Sequence, residues 1–201
     1  MLTVGAYRFK PAESPAELEQ VHRLNYRTFV REIPQHDDPG TGQLVDSYHE
    51  KNQYLICLKD GELVGMVSWN DRPPFSVEKR LPDRQVLATE GVKPVEIRLL
   101  AVVPEERSSP VMAGLVWSLY QASASHGWTH FVISGVVEQL DLYRHLGFEE
   151  LGPPVGTGRA SFVPMWLPVD KLERTMRRPM ELWQKRLDRQ RTRGPSSEAW
   201  S

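Results

Sequence analysis

The chain has 201 residues, 40% apolar and 25% charged, with a net charge of −1. This is globular composition, which excludes a fibrous or disordered chain and gives no basic excess for whole-chain nucleic-acid binding. A single cysteine, Cys57, excludes an internal disulfide and a multi-cysteine metal site. No apolar run approaches the roughly 18–20 residues of a membrane span, and the opening MLTVGAYRFK lacks a signal-peptide core, so a soluble cytoplasmic protein is expected.

The −1 conceals a split. Residues 1–169 carry 16 Lys+Arg against 21 Asp+Glu, whereas 170–193 carry nine basic and four acidic residues. The expected organisation is a globular body over 1–169, a basic amphipathic helical tail over 170–193 and a disordered terminus over 194–201.

Within the body, Tyr7–Lys10 reads as a strand. Ser14, Pro15 and Glu17 form a helix start with a capping pair, and Leu18, Val21, Leu24 and Phe29 carry the helix to about Arg31. Residues 34–48 are loop. Tyr54–Leu58 and Leu63–Trp69 form a hairpin about Asp60-Gly61. Residues 70–93, with Pro73, Pro74 and Pro82, are an irregular excursion. Pro94–Val103 is a strand, Pro110–His126 a helix ended by Gly127, His130–Val136 a strand, and Glu138–Leu146 a short helix capped by Gly147. Phe148–Leu151 and Ala160–Leu167 close the body as strands. This order predicts an α/β protein with a mixed sheet.

The strand Val95–Val103 holds the most informative residues. Alternation puts Glu96, Arg98, Leu100 and Val102 on one face and Ile97, Leu99, Ala101 and Val103 on the other. Two charges in an apolar central strand are costly unless paired or placed at a wet cleft. They read either as a structural Glu96–Arg98 pair or as a general-base carboxylate facing a ligand. The strand then turns through Pro104-Glu105-Glu106-Arg107-Ser108-Ser109-Pro110 into a helix N-terminus, whose free N–H groups suit phosphate. Further on, Leu142-Tyr143-Arg144-His145-Leu146-Gly147-Phe148 places a tyrosine on a short helix before Gly-Phe.

Taken in order, these three stretches resemble the GCN5-related N-acetyltransferase (GNAT) superfamily over residues 7–168. The resemblance implies a mixed, largely antiparallel central sheet flanked by helices, with a V-shaped cleft opened by a bulge in the central strand. It implies acyl transfer from an acetyl-CoA, longer acyl-CoA or acyl carrier protein thioester to an amine or amino acid. Leu100 and Val102 would hold the pantetheine arm. Arg107, Ser109, Val111, Met112 and Ala113 would cradle pyrophosphate. Glu96 would be the base and Tyr143 the acid that protonates the departing thiolate. The family turn usually reads R-G-x-G-x-G where this chain has Arg107-Ser108-Ser109-Pro110-Val111-Met112: both inner glycines are replaced, by Pro110, which has no N–H, and by Met112, whose side chain hinders close approach of a phosphate.

A finer similarity joins Leu24–Glu32, Asp46-Ser47-Tyr48-His49-Glu50, Tyr54-Leu55-Ile56 and Gly61–Gly65 to acyl-homoserine-lactone synthases and long-chain N-acyl amino acid synthases, and implies Phe29 and Arg98 in acceptor binding. Those families usually have arginine at Asn25 and E-x-x-R where this chain has Glu96-x-Arg98. The alternative is a non-catalytic module of the same fold that binds an acyl thioester or a partner.

The remaining candidates read plainly. Cys57, mid-strand, is expected to be a buried inert thiol. His36 beside Asp37 and Asp38 reads as a solvated loop, and no metal is expected. The tail has apolar residues at helical spacing with a kink expected at Pro179. It would lie on an anionic surface or acidic partner, pack on the body, form a homodimer contact, or lead to another domain.

Overall fold

The computed structural model describes residues 2–158 and 161–192; the expected terminus 194–201 lies outside them. Among the described residues eight strands form one sheet in the order β1-β2-β3-β4-β5-β6-β8-β7: β1 Leu2–Val4, β2 Tyr7–Pro11, β3 Gln53–Lys59, β4 Glu62–Asn70, β5 Pro94–Val102, β6 His130–Val136, β7 Glu149–Glu150 and β8 Phe162–Pro168. Four helices cover it: α1 Pro15–Tyr26, α2 Val111–His126, α3 Leu140–Leu146 and α4 Val169–Thr192. Every neighbouring pair is antiparallel except β5–β6. This is the expected mixed α/β sheet, with Leu2–Val4 added as an edge strand.

Local signals placed most elements. Ser14 Oγ accepts the Glu17 N–H while the Glu17 carboxylate takes the Ser14 N–H, closing the capping box of α1. Gly127 and Gly147 end α2 and α3 at φ of 68° and 97°, in the left-handed region. The first helix continues past Tyr26 as a widened π-helical segment, Arg27–Glu32, a form concentrated at functional sites.

Two features of β5 make the cleft. Its parallel pairing with β6 covers only Pro94–Glu96 against His130–Val132, although the strands run on to Val102 and Val136. Beyond Glu96 the strands therefore splay into a V. On the other edge, Val67 faces Leu100 while Trp69 faces Ile97, so β5 spends an extra residue at Arg98–Leu99. This bulge switches the alternation. Val95, Ile97, Leu100 and Val102 pack with Leu115 and Leu119 of α2, while Leu99 and Ala101 pack with Val21 and Leu24 of α1. The strict period-two reading, which put Glu96 and Arg98 on the face of Leu100 and Val102, is corrected by the bulge.

The excursion 70–93 is packed as well. Phe75, Val77, Leu81 and Leu87 form a small core with Val132 and Trp166, covering β6 and β8 on the α1 side of the sheet. Helix α4 continues through Pro179 to Thr192. Its first turns are part of the body: Leu172 is 1% exposed and sits in the main core with Leu115, Trp128 and Leu167.

Candidate active site

On the α1 side, at the base of the V, lies a buried polar cluster. Glu96 is 1% exposed. Its Oε1 accepts from Ser76 Oγ at 2.5 Å and the Val77 N–H at 2.8 Å, and its Oε2 from the Ser76 N–H at 2.9 Å and Asn70 Nδ2 at 3.4 Å. A carboxylate offers about four lone-pair directions, and all are taken. Arg98 is not its partner: Nε and Nη2 of Arg98 bind the two oxygens of Asp46, each at 2.7 Å. The fork-to-fork geometry is the strong form of this pair. Arg98 Nη1 also donates to Ser76 Oγ, so Ser76 joins the two charges that the sequence offered as a direct pair. Tyr48 lies under the Arg98 guanidinium at 4.4 Å. Burial alone would raise the Asp46 carboxyl, but the Arg98 hydrogen bonds and charge outweigh it and hold it below the usual carboxylate range.

More polar atoms gather on this face without protein partners. Asn25 is fully buried with both amide atoms unpartnered, and the buried Ser68 hydroxyl and His22 Nδ1 are likewise without one. Ser68 is the cross-strand neighbour of Tyr54, which bonds His49 Nδ1 at 2.9 Å. Buried groups of this kind need water or a ligand. Phe29 is 8% exposed and packs in the apolar cluster under α1.

The opposite side of the V is apolar and carries the phenol. Tyr143 packs with Ile97, Ile133, Phe148 and Met165. Its ring crosses Gly135, where an added Cβ would stand 2.9 Å from the ring carbons, so only glycine lets the tyrosine down onto β6. Burial raises the phenol pKa above its ordinary value, keeping it protonated at neutral pH. The same cause pushes the Cys57 thiol up to about 12, in keeping with an inert buried cysteine.

At the top of β5, the turn into α2 is partly occupied by itself. The Ser109 N–H bonds Glu106 C=O at 3.0 Å and the Val111 N–H bonds Ser109 Oγ at 3.3 Å. Helical bonding begins with Gly114 N–H to Pro110 C=O at 2.8 Å, leaving the Met112 and Ala113 amides at the open helix end. Arg107 reaches Val102 C=O with Nε at 3.2 Å and holds the Glu32 carboxylate with both terminal nitrogens. Beside that pair, Leu24, Arg27, Thr28, Arg31, Glu32 and Pro104 line a depression of about 240 Å³.

The structure thus brings Glu96 and Arg98 into one cluster, and places Tyr143 across the V and the Arg107–Ala113 turn at its upper end. Sequence reasoning passed over Ser76 and Asn70, and met Asp46 and Tyr48 only as part of a motif. Ser76 lies in an aperiodic excursion, and nothing in its neighbours announces that two charges meet on its hydroxyl.

Comparison with known proteins agrees with this fold. The family model described as N-acyl amino acid synthase FeeM matches residues 20–168. Among solved structures, FeeM, an N-acyl amino acid synthase from uncultured soil microbes, superposes with a TM-score of 0.66 at 17% identity, covering 84% of this chain and 94% of that one. The acyl-homoserine-lactone synthase LasI gives 0.67 at 14% identity, with coverage of 86% and 95%. The CoA-dependent acyl-homoserine lactone synthase BjaI, solved with SAM and isopentyl-CoA, gives 0.63 at 20%, with coverage of 85% and 82%. No curated protein sequence matches the chain.

Proposed function

The chain belongs to the N-acyl amino acid synthase family FeeM, acyltransferases of the GNAT fold, and from that premise we propose that it transfers a fatty acyl group from a carrier-protein thioester to the α-amine of a free amino acid. The observation that carries this reading is the two-sided V, with a buried polar cluster around Arg98 on one face and a packed apolar cluster bearing Tyr143 on the other.

The acyl group is received on the apolar side of the V, where Ile97 and Phe148 border the cluster of Ile133 and Met165. The pantetheine arm runs beside the β5 edge that β6 leaves unpaired at Leu100 and Val102. The amine nitrogen attacks the thioester carbonyl carbon, forming C–N as C–S breaks. The thiolate takes the Tyr143 phenolic proton, which burial retains at neutral pH. The amine reacts as its neutral form, and the proton it loses on becoming an amide passes to solvent, from which the Tyr143 phenolate is reprotonated, so that the net products are amide and free thiol. Glu96, with its lone pairs taken, acts as a positioning residue: through Ser76 and Val77 it fixes the excursion and, through the Ser76 hydroxyl, the Arg98 guanidinium.

The carrier-protein donor is favoured by the turn. Two of the four amides that would hold a pyrophosphate are bonded internally, and Arg107 is held by Glu32. A donor with a single phosphodiester, gripped mainly by its arm and its protein, asks less of this turn than CoA does.

The test is to incubate the protein with acyl carrier protein and acyl-CoA thioesters of several lengths plus a mixture of free amino acids, and to detect N-acyl amino acid by mass spectrometry. Amide formation with a lower KM for the carrier-protein donor is expected. Saturable donor binding without amide from any mixture would return the chain to a binding role.

A further inference from the structure

One arginine at the mouth of the V stands apart from the charges described so far. Arg80 directly follows the short 3₁₀ turn Ser76–Lys79, whose first amides are held by Glu96. Its backbone is therefore fixed relative to the central strand. Its guanidinium lies over the Phe162 ring at 4.6 Å. Phe162 pairs with Val136, the last residue of β6 and the end of the other arm of the V.

Arg80 is half-buried, and its hydrogen bond is one at 3.5 Å, from Nη1 to Ser76 C=O. Among the described residues no carboxylate stands within ion-pair distance of it, whereas Arg98 is matched by both oxygens of Asp46. Half-burying a guanidinium without an anion is unfavourable. Desolvation and the charge of Arg98 both lower its pKa, with Glu96 acting the other way. Two residues before Val136, the Ser134 hydroxyl oxygen is shut off from solvent and has no partner either. A planar fork set over an aromatic ring, with no carboxylate in ion-pair contact, is suited to receive a planar anion.

In the acyl-transfer reading above the donor approaches by the Arg107–Ala113 turn and the acceptor by the polar face beside Arg98. We propose that Arg80 receives the α-carboxylate of the acceptor, so that the protein acylates free α-amino acids in preference to amines or esters of the same side chain. This rests on the acyl-transfer reading above. With the carboxylate on Arg80, the α-amine is delivered to the V from its β6 side, and the side chain is left to the unpartnered groups near Asn25 and Ser68.

The experiment compares wild type, Arg80→Gln and Arg80→Lys with an amino acid, its methyl ester and the amine lacking the carboxyl group. It is run alongside calorimetric binding of the N-acyl amino acid product and its methyl ester. The expected result is that Arg80→Gln loses about 10- to 100-fold in kcat/KM for the free amino acid, chiefly through KM, and little for ester or amine. Arg80→Lys should recover part of the loss, and the thermal transition of each variant shows whether it is folded. Unchanged discrimination between acid and ester in a folded Arg80→Gln would overturn the proposal. Should the wild type turn over no acceptor, the acyl-transfer reading fails on its own and binding decides this one. A preference for the acid product over its ester that Arg80→Gln abolishes supports the carboxylate site, and equal binding of the two overturns it.

Discussion

Glu96 and Tyr143 lie on opposite sides of the sheet with opposite endowments, one carboxylate saturated by donors and one phenol kept protonated by burial. If Glu96 positions Ser76 and Arg98, Glu96→Gln should raise the amino-acid KM and lower kcat without removing an ionisation from the pH–kcat profile. Loss of the acidic limb in that variant would make Glu96 the base. Tyr143→Phe, which keeps the ring on Gly135, should cut kcat by about 10²-fold with the donor KM little changed; full activity would end its role as acid. Both residues were legible in the sequence because each breaks a pattern, a charge in an apolar strand and a tyrosine before Gly-Phe. Ser76 and Arg80 break none. Their roles come from a loop laid across the sheet, and loop residues carry no period that reveals their neighbours.

At the level of elements, the bulge at Arg98–Leu99 decides which side of the sheet the charges serve. Alternation in the sequence finds the strand but not the extra residue within it, so the strand's limits were legible and its facing was not. The loop between the first helix and β3 is joined to β5 through Asp46–Arg98. Because the folded Asp46 carboxyl sits below its ordinary value, near 3.9 in the unfolded chain, the pair stabilises fully above that value and fades as pH falls through the folded pKa. Chemical denaturation of wild type and Asp46→Asn should differ most at neutral pH and converge below about pH 4; a constant difference would mean that the shift is not Asp46's. At the start of α2, Pro110→Gly restores an N–H to the turn. A several-fold lower KM for acyl-CoA is expected, with the carrier-protein donor little affected. A CoA KM that stays put would show that the internally bonded Ser109 and Val111 amides, not the proline, limit phosphate binding.

For the molecule as a whole, the acidic body and basic tail expected from charge are not separate pieces. Leu172, inside the basic segment, is 1% exposed in the main core, and α4 packs against α2 and β8. Charge changes sign at residue 170 while the core continues past it, because composition registers solvent-facing residues and a single buried leucine barely alters it. Leu172→Ala should cost about 2–4 kcal/mol of folding stability by equilibrium denaturation; a loss under 1 kcal/mol would make the tail peripheral after all. In the proposed reaction this core supports one V that takes an acyl thioester from one face and an amino acid from the other. The most direct measurement follows free thiol and amide product together, in one reaction of acyl carrier protein thioester with free amino acid. Thiol and N-acyl amino acid appearing in equal amounts, and only when the amino acid is present, is the predicted result. Thiol released at the same rate without amino acid, or bound donor that stays intact with every amino acid, would contradict it.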